Sequence, residues 1–449
     1  MILEAVPVAP LDMEGAGIPE QHVQGLDLTY RAPVLSAAQR ETLPAPILPA
    51  RPDWTALYWR AWDIAFDKVQ TPPPESGFKP FVDAAFSANV FQWDTCFMVA
   101  FLRYATDALP VYQTLDNFYA KQHADGFICR EMVRADGSDF WPTDHPSAIN
   151  PPLFADAEWA LYGITGDTNR LRAVLPPLVR YYRWLQTHRR HADGIGYWTT
   201  ALASGMDNTP RPYDQGGPDV HEHYGYAWLC MTAQQALSAR RIQQIAEVVG
   251  EGTIAQTMGD DVATLHAYLN ETLWNDDLAL YVDAHPDGTP ARVKTPATCW
   301  PLLAGATSRE RAAAVARHLT DPASFWRTHA IPSVSADHEV FHPRGNYWHG
   351  GVWAPLVYLA MCAMDTTGHL DVAQRIAENH LDNVATVYDE TGTFWESYAP
   401  EAATKSNIAR PEFVGWTGCG PIAALIEIVL GIQVDAPSNT VYWKHTRAD

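Results

Sequence analysis

Apolar residues return every three or four positions from Trp54 onward, starting with WTALYWRAWDIAFDKV at 54–69, and this spacing predicts helices along most of the chain. Alternation of apolar and polar positions is scarce, TVYWKH near the C-terminus being a candidate strand. A loop rich in Gly, Pro and Trp is followed by an apolar helix six times, with helix starts expected near Asp94, Ala155, Val220, Pro296, Gly350 and Thr417. The intervals, 54 to 76 residues, suffice for an inner helix, an outer helix and their loops. Segments such as PVYQTLDNFYAKQH, DTNRLRAVLPPLVRYYRWLQTHRR and VAQRIAENHLDNVATVY carry one apolar stripe and one charged face, as outer helices do. Six such hairpins close into a double-layered ring, an all-α (α/α)6 barrel. The long loops that precede inner helices then gather at one end, where the site is expected. The barrel is assigned to residues 54–430, behind an arm at 1–53 that holds eight prolines, with a C-terminal tail at 431–449 that includes the candidate strand.

Composition narrows the function. The chain has 449 residues, 47% of them hydrophobic, enough for a large core. Its 52 acidic and 31 basic residues give a net charge of -21, which repels phosphate backbones and anionic lipid, so neither nucleic acid nor a membrane is an expected partner. The start, MILEAVPVAP, lacks a basic segment ahead of an apolar one, and no apolar run approaches eighteen residues; a cytoplasmic protein is expected, with homo-oligomerisation left open. Six cysteines lie far apart in mostly apolar surroundings and read as reduced and structural.

Many of the aromatic residues sit in the loops, as in DFWPTDHP, GIGYWTT, GNYWHGGVW and TFWESYAP. Flat apolar faces with polar edges suit a sugar, so a small-molecule carbohydrate is the expected ligand. Asp207, in ASGMDNTPRP, lies in the third long loop and Glu396, in TFWESYAP, in the sixth. Opposite loops of a six-unit ring face each other. An inverting glycosidase needs that arrangement, with one carboxyl protonating the departing oxygen and a second, about 6.5–9.5 Å away, activating water. Burial beside Met206 and nearby tryptophans is expected to raise the acid's pKa. Glu401 and Glu412 are rivals to Glu396.

FQWDTCF, DGFICREM, NPPLFADAEWA, SGMDNTPR, LWNDDLALY, FWRTHAIPSV, YWHGGVW and FWESYAP…FVGWTG, in that order over roughly residues 85–430, resemble glycoside hydrolase family 63 and its bacterial relatives that hydrolyse mannosylglycerate and glucosylglycerate. The resemblance implies an (α/α)6 barrel, inversion, exo-action on α-linked glucose or mannose, Asp207 as acid and Glu396 as base. It also implies that Trp93 and Asp94 contact the sugar, with Arg130, Glu131, Asn208, Arg211, Trp348, Trp353 and Trp416 around it. Trehalases share the distant pattern. Two positions depart from the family: His349 stands where Arg usually follows the tryptophan of the YW motif, and Asn150 stands where Gln usually precedes the paired prolines. A glycerate leaving group calls for a cation, for which Arg211, Arg344 and His349 are candidates.

Two other classes compete. A sugar epimerase on the same barrel uses paired histidines, and His145, His221, His223 and His349 lie in site-end loops. A non-catalytic carbohydrate binder keeps the aromatics but needs neither carboxylate. No metal or other cofactor is expected: His221 and His223, two residues apart, do not share a helical face, and no Cys or carboxylate cluster completes a ligand set.

Overall fold

The computed structural model describes residues 36–84, 88–211 and 219–444. Its inner helices are α2 (Gln92–Leu102), α4 (Phe154–Thr165), α6 (Leu229–Val249), α8 (Trp300–Ala304), α10 (Ala354–Thr366) and α12 (Gly420–Val429). Outer partners are α3 (Val111–Ala120), α5 (Thr168–His188), α7 (Gly252–Glu271), α9 (Arg309–Leu319) and α11 (Leu370–Thr391). The sixth partner comes from the other end of the chain. Helix α1 (Pro52–Asp67) packs on α12 and α11, so the two ends of the barrel sequence close the ring.

Local chemistry explains the boundaries. Helix α1 starts on Pro52, whose missing N–H costs nothing in the first turn, and buries Trp54, Leu57, Tyr58, Ala61 and Trp62 toward α12. Helices α4, α6 and α11 stop at Gly166, Gly250 and Gly392, each in the left-handed conformation that ends a helix at little cost to glycine. The inner helix expected near Val220 begins instead at Leu229. Tyr224 (φ 52°) and Gly225 (φ 71°) break the intervening backbone, which stays in the loop as part of the site end. Helix α12 is wound as a wider π-helix, a form frequent at functional positions.

Sheet is confined to short pairs. Strands β1 (Asn89–Phe91) and β2 (Glu131–Val133) pair antiparallel with Phe91 opposite Glu131. Strands β3 (Ile432–Asp435) and β4 (Thr440–Trp443) form the C-terminal hairpin, with Ile432 opposite Trp443, where the sequence pattern placed a strand. Most of the proline-rich arm falls outside the described residues. No described helix is long and apolar enough to cross a membrane.

At the end of the ring away from the long loops, the axis holds a cavity of about 550 Å³ lined by all six inner helices and the hairpin. Its charged walls are matched: Arg103 with Glu427, Arg241 with Asp156 at 2.7 Å, and Lys444 with Asp365 at 3.0 Å. Phe97 and Trp300, rings 6.2 Å apart, line it on the side of Trp93, whose ring lies 4.7 Å from Phe97.

Candidate active site

The site is assembled by three long loops around the start of α2. The β1–β2 ladder and the bond from the Gln92 amide to the Arg130 carbonyl (2.8 Å) bring Arg130 and Glu131 beside the first turn of α2, which carries Trp93 and Asp94. Arg130 Nη1 donates to the carbonyl of Leu202 at 2.6 Å, tying this corner to the loop of Asp207. Glu131 accepts from Asn89 Nδ2 at 2.6 Å and Trp141 Nε1 at 2.8 Å, with Arg130 at 3.9 Å, so it is positioned as a structural ion pair.

The second loop turns through a 3-10 segment, Leu202–Ser204, into Gly205 at φ 83°. A Cβ at position 205 would stand 2.6 Å from the Trp93 ring, so only glycine lets the turn rest directly on that indole. The next residues, Met206 and Asp207, are thereby fixed against α2. Asn150, the departure from the family pattern, donates to the Ala203 carbonyl at 2.8 Å and supports the same turn.

The third element reaches in from residues 332–353. Tyr347 Oη donates to Asp207 Oδ2 at 2.6 Å, and the Trp348 amide donates to Asn208 Oδ1 at 2.8 Å. Tyr347 sits at φ 59°, a strained backbone for an aromatic residue and one that recurs where geometry serves function. Behind it Trp348 and Trp353 stack at 4.0 Å and 5°, and Trp353 Nε1 donates to the Tyr347 carbonyl. Trp416 packs edge-on against Trp353 at 5.6 Å and donates to the Glu396 carbonyl at 3.0 Å, which brings in the base loop. The Glu396 amide is bonded to the Arg410 carbonyl at 2.9 Å.

These contacts gather Asp94, Asp207 and Glu396 close enough for their charges to act on one another. Burial pushes Asp94 up to about 7, and the charges of Asp207 and Glu396 push the same way, against Arg130. Burial likewise raises Glu396 to about 7, with Arg410 opposing and Asp207 adding to the rise. Asp207 is raised by burial, while Arg130 and the Tyr347 hydroxyl favour its ionised form. Asp94 and Asp207 remain partly accessible, so the buried setting of the three carboxyls still leaves an approach from solvent. A set of acids raised toward neutrality in one recess is suited to moving protons.

Of the expected residues, Trp93, Asp94, Arg130, Glu131, Asp207, Asn208, Trp348, Trp353, Glu396 and Trp416 come together here. Trp348 and Trp353 do so from behind, almost fully buried, and the aromatic group that meets Asp207 is Tyr347. Arg211 lies elsewhere: it is 2% exposed, 3.5 Å from Asp283 and stacked over Trp228, so it is engaged within the wall. His349 is buried, bonded to the Asn208 backbone and pushed down to about 4, and is therefore uncharged near neutrality. Neither fits the expected cationic contact, and Arg344 is on the exposed surface. Of the rivals to Glu396, Glu401 pairs with Arg327 at 2.6 Å and Glu412 with Arg60 at 3.6 Å. The sequence does not single out Tyr347 or Arg410; the former stands inside YWHGG, where the tryptophan draws attention, and the latter in a stretch without a motif. Among the described residues no cluster of three His, Cys, Asp or Glu is placed to hold a metal ion.

The histidines form a separate group. His145 and His221 rings lie 5.2 Å apart and both pack on Trp141, while His223 packs on Trp198 at 4.6 Å.

A family model described as "Mannosylglycerate hydrolase MGH1-like glycoside hydrolase domain" matches residues 87–417. Among curated relatives, an uncharacterised protein of Borreliella burgdorferi is 23% identical over 368 residues, spanning 78% of this chain and 74% of the relative. A probable mannosyl-oligosaccharide glucosidase of Schizosaccharomyces pombe is 24% identical over 68% of this chain, which spans only 46% of that longer protein. Among solved structures, the GH63 mannosylglycerate hydrolase from Thermus thermophilus in complex with glucose superposes with TM-score 0.67 at 18% identity, over 82% of this chain and 99% of that one. The likeness establishes the fold, an (α/α)6 barrel.

Proposed function

Because the chain belongs to the mannosylglycerate hydrolase MGH1-like family of glycoside hydrolases, we propose that it is an exo-acting, inverting α-glycosidase of a small α-linked glucoside or mannoside, with Asp207 as general acid and Glu396 as general base. The single observation that carries this reading is the meeting of carboxyls from separate long loops in one recess, where burial raises both Asp207 and Glu396, the latter to about 7, and the charge of Asp207 acts on Glu396.

The steps follow from that arrangement. Asp207, protonated, gives its proton to the glycosidic oxygen as the bond to the anomeric carbon breaks. Glu396, ionised, takes a proton from the water that attacks that carbon from the opposite face, so the configuration inverts. The Tyr347 hydroxyl, 2.6 Å from Asp207, stabilises the carboxylate left after proton donation. Asp94, at the head of α2, accepts sugar hydroxyls, and Trp93 backs the pocket with its N–H held by Gln234 at 3.2 Å. General acid–base help of this kind contributes roughly 10²–10⁴-fold.

The family favours hydrolysis over epimerisation by the histidine group. Proton NMR of the purified protein with a panel of α-glucosides and α-mannosides tests the reading. Release of the β-anomer first is expected. Initial release of the α-anomer would overturn inversion, and a C2-epimerised product would overturn hydrolysis.

A further inference from the structure

Beside Arg130 a half-buried aromatic rim faces solvent, and the proposed acid–base reaction assigns it no role. Trp141 packs on His145 at 4.6 Å and on His221 at 5.7 Å, while the two imidazoles meet edge to face at 5.2 Å. Each of the three is held from behind. Trp141 Nε1 donates to Glu131 Oε2 at 2.8 Å, the Ser147 amide donates to His145 Nδ1 at 3.1 Å, and Ser147 Oγ is bonded to His221 Nδ1 at 3.1 Å. With the Nδ1 atoms used by Ser147, the Nε2 edges are the ones left for a ligand. Arg189 lies beneath, donating to the His145 carbonyl at 3.2 Å and stacked over Trp198 at 4.4 Å.

Arg130 connects this rim to the chemistry. Its guanidinium lies 5.7 Å from the Trp141 ring centre, and its charge acts on Asp207, His145 and His221 alike. A general acid touches the departing group, and Arg130, bonded to the Leu202 carbonyl in the acid's own loop and 5.7 Å from the Trp141 ring, makes the rim the aromatic surface adjoining that group's position. We propose that Trp141, His145 and His221 form the leaving-group subsite and that it takes an uncharged sugar ring, making α-linked disaccharides or longer glycosides the substrate class rather than glycosylglycerates. This rests on the reading of Asp207 as the acid.

Four observations point to a neutral ring. Flat faces with nitrogen edges match a pyranose, whose C–H face stacks and whose hydroxyls bond at the margin. Both nearby guanidiniums lie behind the rim, Arg130 8% and Arg189 5% exposed, and both are bonded to backbone carbonyls. The outer edge carries Asp144, Asp219 and Glu222, all exposed, which repel a carboxylate. Burial also lowers the pKa of both imidazoles, keeping them uncharged near neutrality.

The test compares kcat/KM for α-linked disaccharides of glucose and mannose, the matching glycosylglycerates, and α-glucosyl and α-mannosyl fluoride, whose small leaving group does not reach the rim. The parent protein should prefer a disaccharide over the glycosylglycerate by about ten-fold or more. Trp141→Ala should lower the disaccharide-to-fluoride ratio by about ten-fold or more, and Trp141→Phe, which keeps a flat face, should recover most of it. Should Trp141→Ala fail to fold, His221→Ala provides the same comparison. Preference for the glycosylglycerate, no hydrolysis of any disaccharide alongside active fluoride hydrolysis, or an unchanged ratio overturns the subsite alone. Failure of the parent to hydrolyse either fluoride overturns the glycosidase reading beneath it.

Discussion

At the far end of the ring, Glu427 receives hydrogen bonds from Arg103, from Tyr104 at 2.9 Å and from Tyr358 at 2.7 Å. At the site end Glu396, one loop earlier in the chain, faces Asp207 and Asp94 and is supported by the backbone and charge of Arg410. Both are almost fully buried glutamates within one barrel. The first has its charge matched by side chains that surround it, and the second is met by the backbone and charge of Arg410 but stands beside other acids. Matched burial is stable and chemically inert. Unmatched burial costs stability and produces groups that titrate where a proton is to be moved. The contrast teaches that the reactive end is recognisable by the acids its carboxyls are buried beside.

The largest effect that would break this contrast is on rate. Asp207→Asn and Glu396→Gln are each expected to lower kcat by roughly 10²–10⁴-fold with the circular dichroism spectrum unchanged. Glu427→Gln, by contrast, should leave kcat per folded molecule near that of the parent. A Glu396→Gln protein working within ten-fold of the parent would remove the distinction between the two ends.

The next effect is on stability, and its sign should reverse between the ends. Glu427→Gln leaves the Arg103 guanidinium buried without a counter-charge and is expected to cost about 3–5 kcal/mol. Glu396→Gln should stabilise. The folded-state pKa of Glu396, about 7, lies above its ordinary value of 4.5, so the folded protein binds the proton more tightly than the unfolded chain. The penalty is absent below the unfolded value and complete above about pH 7, and the shift corresponds to about 3 kcal/mol at most. Denaturant titrations at pH 8 and pH 4.5 should therefore show a gain for Glu396→Gln at the higher pH that fades at the lower. A loss at both ends of the molecule would mean that Glu396 is matched after all.

The smallest effect sharpens the contrast within the site. The acidic limb of kcat/KM is expected near pH 7, where Glu396 ionises to become the base. Arg410 favours the ionised form, so Arg410→Gln should move that limb to higher pH. A limb that moves down or stays in place would assign the ionisation to another group, with Asp94 first in line.

How much of this was legible in the sequence depends on the range of the interaction. The inner helices announce themselves through apolar runs after Gly- and Trp-rich loops, and five of six begin within about four residues of the expected positions. The exception near Val220 fails because the left-handed backbone at Tyr224 is set by the assembled loop, and no residue type there requires it. Asp207 and Glu396 stand out as acids in loops of the right rank. Tyr347 does not, since its value lies in a bond to Asp207 that crosses 140 residues. The far-end match of Arg103 with Glu427 crosses 324 residues, and no local spacing foretells it. The loop aromatics read as sugar-facing surface, whereas Trp348 and Trp353 are a buried prop, because an indole pair at the ring's centre has other indoles to cover it.

The turn that carries Asp207 lies on Trp93 with no side chain in between. Positions 93 and 205, more than a hundred residues apart, therefore depend on one another. Any side chain at 205 meets both the indole and a left-handed backbone at φ 83°, so a smaller ring at 93 relieves only the first of the two constraints. A bulkier residue at 205 displaces the acid and is excluded twice over.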